Sequence, residues 1–355
     1  MIKPVYVVTA LLPMNVYATS ISFDKDLQLY SEPLSIVSFL DDWDNPDFKP
    51  GTHAFAHSKI YLNFQEGNWN TGWVWRYDYA LEFSKDASLL YYQIANDHKI
   101  DKNKTYDVLI KARHVDSVGA RIGYDWHLPN LKITTGATAL IGREYLDGQV
   151  SASGLSKDYL NVLRQGANLN IDYSYSQPVL KEDDLGLGDY RPDHGYGYSF
   201  DITVDYQPID ALRLKVRAED IYGYLHWSKA PYTYLNLDYN PKNRKKILDF
   251  DYAVSTQEEY KQKLPYKIYS DIEFKPTKNT NLGVHAFTNP YLTLWQLSAQ
   301  YHFLDLDWGV HLEPETDAYG FSVKHKNFGL KYITDDWNTN EARRIDVQLF
   351  ASYFW

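Results

Sequence analysis

The chain has 355 residues, a formal net charge of −10, an aromatic content of 16% and no Cys. The missing thiols exclude disulfides, thiolate nucleophiles and Cys-type zinc sites. The acidic balance excludes general nucleic-acid binding, which needs a basic footprint. No run approaches the roughly 18 apolar residues of a membrane helix.

Lys3 is the only early charge, and Val5 to Val16 is a short apolar region broken by Pro13. Val16-Tyr17-Ala18 then places small or β-branched residues where a signal-peptide cleavage site wants them. Residues 1–18 therefore read as a signal peptide, with a buried first strand as the alternative. Residues 19–52 show no sustained alternation. Ser31-Glu32-Pro33 before Leu34, Ile36, Val37, Phe39 and Leu40 predicts a short helix, capped by Ser31 and ended by Asp41 to Pro46. This segment is expected at the periplasmic mouth or inside a lumen as a plug, with a disordered lead-in as the alternative.

From His53 a period of two takes over, the signature of strands with one apolar face. In 72–83, Trp73, Trp75, Tyr77, Tyr79, Leu81 and Phe83 oppose Arg76, Asp78 and Glu82. Such alternation predicts strands near 53–64, 72–83, 88–95, 106–114, 118–126, 131–142, 166–175, 196–206 and 212–226. It resumes near 266–274, 281–287, 291–303, 306–312, 319–326, 328–334 and 344–355. Three stretches break the rhythm. Residues 143–164 include a possible two-turn helix at 154–164, 177–195 are rich in Gly and Asp, and 227–265 read as the longest irregular segment. The last strand alternates Ile345, Val347, Leu349, Ala351, Tyr353 and Trp355 with mostly polar residues, and it stops on an aromatic.

The alternating strands and the terminal Tyr353-Phe354-Trp355 resemble bacterial outer-membrane β-barrels of porin size. The resemblance covers most of the chain. It implies an all-β fold, a transmembrane antiparallel up-and-down barrel of about 16 strands, with 14 or 18 as alternatives, over residues 53–355. It also implies a bacterial outer-membrane location, contact with outer-membrane lipid and lipopolysaccharide, and delivery by the barrel-insertion machinery through the C-terminal strand. With Trp355 periplasmic, short turns at 207–211, 275–280, 303–306 and 326–328 fall inside, and 66–71, 96–105, 177–195, 227–265 and 335–343 fall outside. Residues 127–130 then become a very short outer loop and 143–164 a long periplasmic one.

The face opposite the aromatic stripe is ionic. A cationic side chain facing lipid near the midplane costs about 2–4 kcal/mol, so so many charges must face inward. Pore-lining candidates are Arg76, Asp78, Lys111, Arg113, Arg121, Asp201, Asp205, Arg213, Lys215, Arg217, Asp271 and Glu273. Arg213, Lys215 and Arg217 project from one strand face roughly 7 Å apart. They form a basic ladder that steers anions, or else they pair with the carboxylates of flanking strands. In 227–265, Tyr232, Tyr234, Arg244 and Lys245 are candidates for ligand contact or constriction. No Walker-type loop, His-Glu-x-x-His motif or dinucleotide Gly fingerprint is present. Asp193-His194 is the only local pair suggestive of hydrolysis, and Glu182-Asp183-Asp184 reads as a solvated acidic loop. The resulting expectation is a channel for polar small-molecule solutes with no cofactor, metal or catalytic residue. The alternatives are a conduit exporting a polymer such as an exopolysaccharide, a plugged surface barrel, or an outer-membrane hydrolase.

Overall fold

The computed structural model describes residues 19–102, 104–158, 162, 164–177, 194–243 and 247–355. The expected signal peptide, Arg244, Lys245, Asp193 and the acidic Glu182-Asp183-Asp184 lie outside the described residues. Sixteen antiparallel strands form one sheet: β1 (Ser20–Ser31), β2 (His53–Glu66), β3 (Trp69–Phe83), β4 (Thr105–Leu128), β5 (Leu131–Ser156), β6 (Ala167–Tyr175), β7 (Gly195–Ile209) and β8 (Leu212–Tyr239), then β9 (Leu248–Lys263), β10 (Lys267–Thr277), β11 (Thr280–Thr288), β12 (Thr293–Phe303), β13 (Leu306–Glu313), β14 (Ala318–Lys324), β15 (Phe328–Thr334) and β16 (Arg344–Phe354).

The sheet closes on itself as a ring of 14 strands, with two further strands outside it. β6 and β7 share one ring position. The lower part of β5 pairs with β7 and its upper part with β6, and both also pair with β8. β9 and β10 divide the other edge of β8 in the same way. β6 and β9 thus belong to a sheet that rises above the ring. Counting segments gives sixteen, whereas the ring holds fourteen.

Closure is the main departure from the sequence reading. Residues 20–31, expected at the mouth or as a plug, form β1. This strand pairs with β16 from Ser20↔Phe354 to Tyr30↔Arg344 and with β2 from Ser20↔Gln65 to Ser31↔Ala54. Its inward face carries Asp24, Asp26 and Gln28. The lipid-facing positions are held by Ile21, Phe23, Leu27 and Leu29, with Lys25 among them, which blurs the period. The short helix exists as α1 (Ile36–Leu40), but its cap is Ser35, which accepts from the Ser38 amide at 3.3 Å.

Residues 88–95 are helical, not a strand. They belong to α2 (Lys85–Ala95), where Ser84 caps by accepting from Ala87 N at 3.1 Å. Leu90, Tyr92 and Ile94 read as alternating apolar positions, but Ser84 followed by Asp86 is a helix-start signal. Removing that strand reverses the sides of the neighbouring turns. The turns at 67–68 and 129–130 are periplasmic, and β4 runs unbroken through both of the shorter strands expected there. Residues 143–156 extend β5 rather than forming a periplasmic loop, and 227–265 are largely β8 and β9. At 304–305, Leu304 and Asp305 both adopt φ above +50°, the conformation of a tight type I′ hairpin.

The outer surface carries an apolar belt that includes Ile122, Phe200, Val216, Ile272, Leu297 and Val310. Trp69, Tyr124 and Trp126 stack edge to face at the periplasmic rim, with ring centroids 4.9 and 4.7 Å apart. Tyr198, Tyr222 and Trp295 mark the outer rim, where Trp337 packs on Phe321 and Tyr332. An apolar band between two aromatic girdles is the lipid-facing surface of an outer-membrane barrel.

The occluded lumen as candidate functional site

Alternation turns the charged residues inward, and opposite walls of the ring then meet. Arg76 and Asp78 lie on β3, His57 and Lys59 on β2, Glu219 and Asp220 on β8, and Lys267 on β10. β4, β5 and β7 separate β3 from β8 along the ring, so contacts between these groups cross the lumen. Lys267 Nζ lies 3.0 Å from Asp78 and 3.2 Å from Asp220. Arg76 pairs with Asp220, which also accepts from Ser199 Oγ at 2.5 Å. His57 Nδ1 is 2.7 Å from Asp78, and Lys59 Nζ is 2.7 Å from Glu219. Arg76, Lys267 and Asp220 are 3–4% exposed, so this latch excludes solvent.

A local irregularity in β8 makes the latch possible. The pairing with β7 slips between Phe200/Ile202 and Tyr222/Ala218, and Asp220 takes φ +55°. A bulge breaks the strict alternation of a strand. Glu219 and Asp220 are adjacent in sequence, yet both turn into the lumen and are buried.

Two apolar layers sit toward the outer end. Val115, Leu140, Tyr145, Leu225, Trp227 and Leu264 form one of them. Trp227 stacks on Tyr145 at 4.3 Å and lies flat over Gly142 and Gly195, where any Cβ would come within 2.8 Å of its ring. Phe55, Phe287 and Leu294, with Tyr30 and Tyr269, form the other layer. Just above the latch lies a cavity of about 30 Å³.

Below these layers the lumen opens toward the periplasmic rim. A cavity of about 720 Å³ runs from Ser22, Ser352 and Phe354 at the rim up to Phe287 and Leu294. A second of about 290 Å³ contains Tyr61, Arg121, Asp125 and Asp201. A third of about 410 Å³ lies at the mouth beside Asp205, Arg213 and Glu273. Asp24, Asp26 and Arg217 border both of the first two. Asp24 and Asp26 on β1 thus face Lys215 and Arg217 on β8 across the passage, while Lys59 on β2 is the register partner of Asp26.

The structure separates the sequence candidates into groups. Arg76 and Asp78 belong to the latch. Arg121 pairs with Asp201 through Nε at 3.0 Å, and Arg213 with Asp205 through Nε at 2.8 Å. Arg217 approaches Glu219 at 3.3 Å and stacks on Tyr269 at 4.1 Å. The basic ladder is therefore mostly paired with flanking carboxylates. Lys215 is the exception and has no carboxylate within 4 Å among the described residues. Lys111 and Arg113 lie above the latch, where Arg113 meets Asp147 at 3.4 Å. Asp271 and Glu273 stand on β10 below it. Tyr232 and Tyr234 lie in the raised part of β8, in register with β6 and β9, and not in a loop entering the passage.

Sequence reasoning missed Lys267, Glu219 and Asp220 as one unit, and His57 with them. Lys267 fell within the strand expected at 266–274 but was not among the lumen candidates. Only the local signal Glu219-Asp220, two adjacent acids inside an alternating strand, hinted at a bulge.

No protein-family model matches the chain, and no curated protein sequence matches it. Similar solved structures include the P. putida toluene transporter TodX, 9% identical, over 94% of this chain and 87% of that one, with a TM-score of 0.40. The Ralstonia pickettii toluene transporter TbuX is 8% identical over 95% and 90%, with a TM-score of 0.41. The Escherichia coli outer-membrane protease OmpT is 8% identical over 96% and 99%, with a TM-score of 0.26. The closed antiparallel ring, its apolar belt and its two girdles make this chain a bacterial outer-membrane β-barrel.

Proposed function

We propose that the chain is an outer-membrane channel for small polar or charged solutes, held shut at rest by its own lumen side chains. The observation that carries this reading is the ionic passage from the periplasmic rim to the latch, with acids on β1 facing cations on β8. Water and ions suit such walls, whereas an apolar solute would have to displace solvation from many charges. The cavity of about 720 Å³ is of small-molecule size. Opposed charges at a narrow point orient a dipolar solute and select ions by sign.

Lys215 is the residue to change, because Arg213 and Arg217 already have acidic neighbours. In planar bilayers under a salt gradient, Lys215→Glu added to a barrel whose latch is broken by Lys267→Met should move the reversal potential toward cation preference. The added change should leave the folded state unaffected, as judged by heat-modifiable migration in detergent. An unchanged reversal potential would remove Lys215 from the selective surface. If solute-loaded proteoliposomes never swell or leak, even with the latch broken, the channel reading fails.

A further inference from the structure

Apart from the latch, one group of chemically capable side chains stands beside the large cavity, with Asp271 and His285 on its wall and Ser298 buried next to them on the following strand. Asp271, His285 and Ser298 occupy three consecutive strands, β10, β11 and β12. The register sets Asp271 opposite His285, and Ser298 opposite Gly283, two residues before His285 on the same face. Asp271 Oδ1 lies 2.7 Å from His285 Nδ1, and His285 Nε2 lies 2.8 Å from Ser298 Oγ. An ionised carboxylate can only accept, so in the neutral ring Nδ1 carries the proton. Nε2 is then free to accept from the Ser298 hydroxyl. Gly283 leaves the room for this contact. A Cβ there would stand 2.4 Å from Ser298 Oγ and 2.6 Å from His285 Nε2. Asp271, His285 and Gln296 line the cavity, and Gln296 is the register partner of His285 on β12.

The neighbouring strands supply an internal comparison. Gly309, His311 and Ser322 repeat the pattern, with His311 Nε2 2.8 Å from Ser322 Oγ. No carboxylate completes it, and His311 Nδ1 has no hydrogen-bond partner among the described residues. One histidine is oriented by an acid and the other is not. A structural Ser–His contact would not need that difference.

We infer that Ser298, His285 and Asp271 form an acyl-transfer site inside the barrel, acting on small esters that carry a negative charge. Lys215, the register partner of Asp271, supplies the cationic charge beside the site, and Lys331, paired with Asp346 at 2.9 Å, lies 3.5 Å from Gln296. Ser298 Oγ bonds to the acyl carbon while its proton passes to His285 Nε2. The carbonyl pair moves onto oxygen, where the Gln296 amide donates to it. Collapse breaks the bond to the leaving alcohol, which takes the proton from His285. Water then repeats the sequence on the acyl-serine and releases the acid. Asp271 is a positioning residue that holds the ring and its tautomer.

The test uses the folded barrel in detergent, treated with a fluorophosphonate and mapped by peptide mass spectrometry. Heat-modifiable migration reports folding for every variant. One adduct is expected, on Ser298. Ser298→Ala should abolish it. His285→Gln should slow it by about 10²–10⁴-fold, the usual contribution of a general base. Asp271→Asn, which presents the wrong partner to the ring, should slow it comparably. Ser322→Ala should leave it unchanged. No adduct on Ser298 in the folded wild-type barrel would overturn the inference. So would labelling insensitive to both His285→Gln and Asp271→Asn, or labelling of Ser322 at an equal rate. Labelling needs no ion conduction, so its outcome stands apart from that of the channel reading.

Discussion

Lys267→Met should both loosen the barrel and open its lumen. Lys267 is 3% exposed and, among the described residues, is the one cation that touches both Asp78 and Asp220. Removing one member of a buried ionic group leaves its partners charged and undersolvated, at a cost of about 3–5 kcal/mol. Here the lower end is expected, because Asp78 keeps His57 and Asp220 keeps Arg76 and Ser199. The midpoint of urea unfolding in detergent should fall accordingly. The same change cuts a tie between β10 and β3 across the lumen, so single-channel conductance should rise well above that of the wild type. Lys267→Arg keeps the charge and should stay close to wild type in both measurements. A destabilised but non-conducting Lys267→Met barrel would show that the apolar layers, not the latch, close the passage.

Deletion of Ser20–Ser31 should prevent the barrel from forming. The strand contributes eleven register pairs to β16 and twelve to β2. Both edges would otherwise expose unpaired amides and carbonyls to lipid, each costing several kcal/mol. They cannot rescue one another in the same pattern. β16 and β2 run in the same direction, so a ring of thirteen would need one parallel junction between strands built for antiparallel pairing. Heat-modifiable migration should therefore be lost. A folded deletion variant would return residues 20–31 to the role of a dispensable lead-in or plug.

Much of the architecture was legible because lipid enforces alternation. From β10 onward the expected strands 266–274, 281–287 and 344–355 match β10, β11 and β16 closely, and the short periplasmic turns there fall where the periodicity puts them. The errors have physical causes. β1 was missed because Lys25 interrupts its lipid face midway along the strand. α2 was read as a strand because its apolar residues satisfy a period of two over a few positions, while its cap signal was passed over. β6 and β7 were both found, but no sequence signal says that they share one ring position. Site chemistry was less legible. Inward orientation follows from the cost of a charge in lipid, yet partners across the lumen are fixed by which walls come together. Arg76 meeting Asp220 depends on a bulge in β8, and Asp271, His285 and Ser298 meet through the register of two hairpins.

The placement of the cavities has a physiological consequence. The space of about 720 Å³ opens toward the periplasmic rim and ends at Phe287 and Leu294, and the cavity between the latch and the apolar layers holds about 30 Å³. At rest such a barrel is a cup facing the cell interior, not a hole. A cell could carry many copies without making its envelope leaky to toxic compounds outside. Whatever opens the barrel from the environment must first disturb the aromatic stack at Trp227 and Tyr145 or the Phe55 and Phe287 pair, whereas a periplasmic molecule reaches the charged walls directly. Traffic through this protein would then be decided from within.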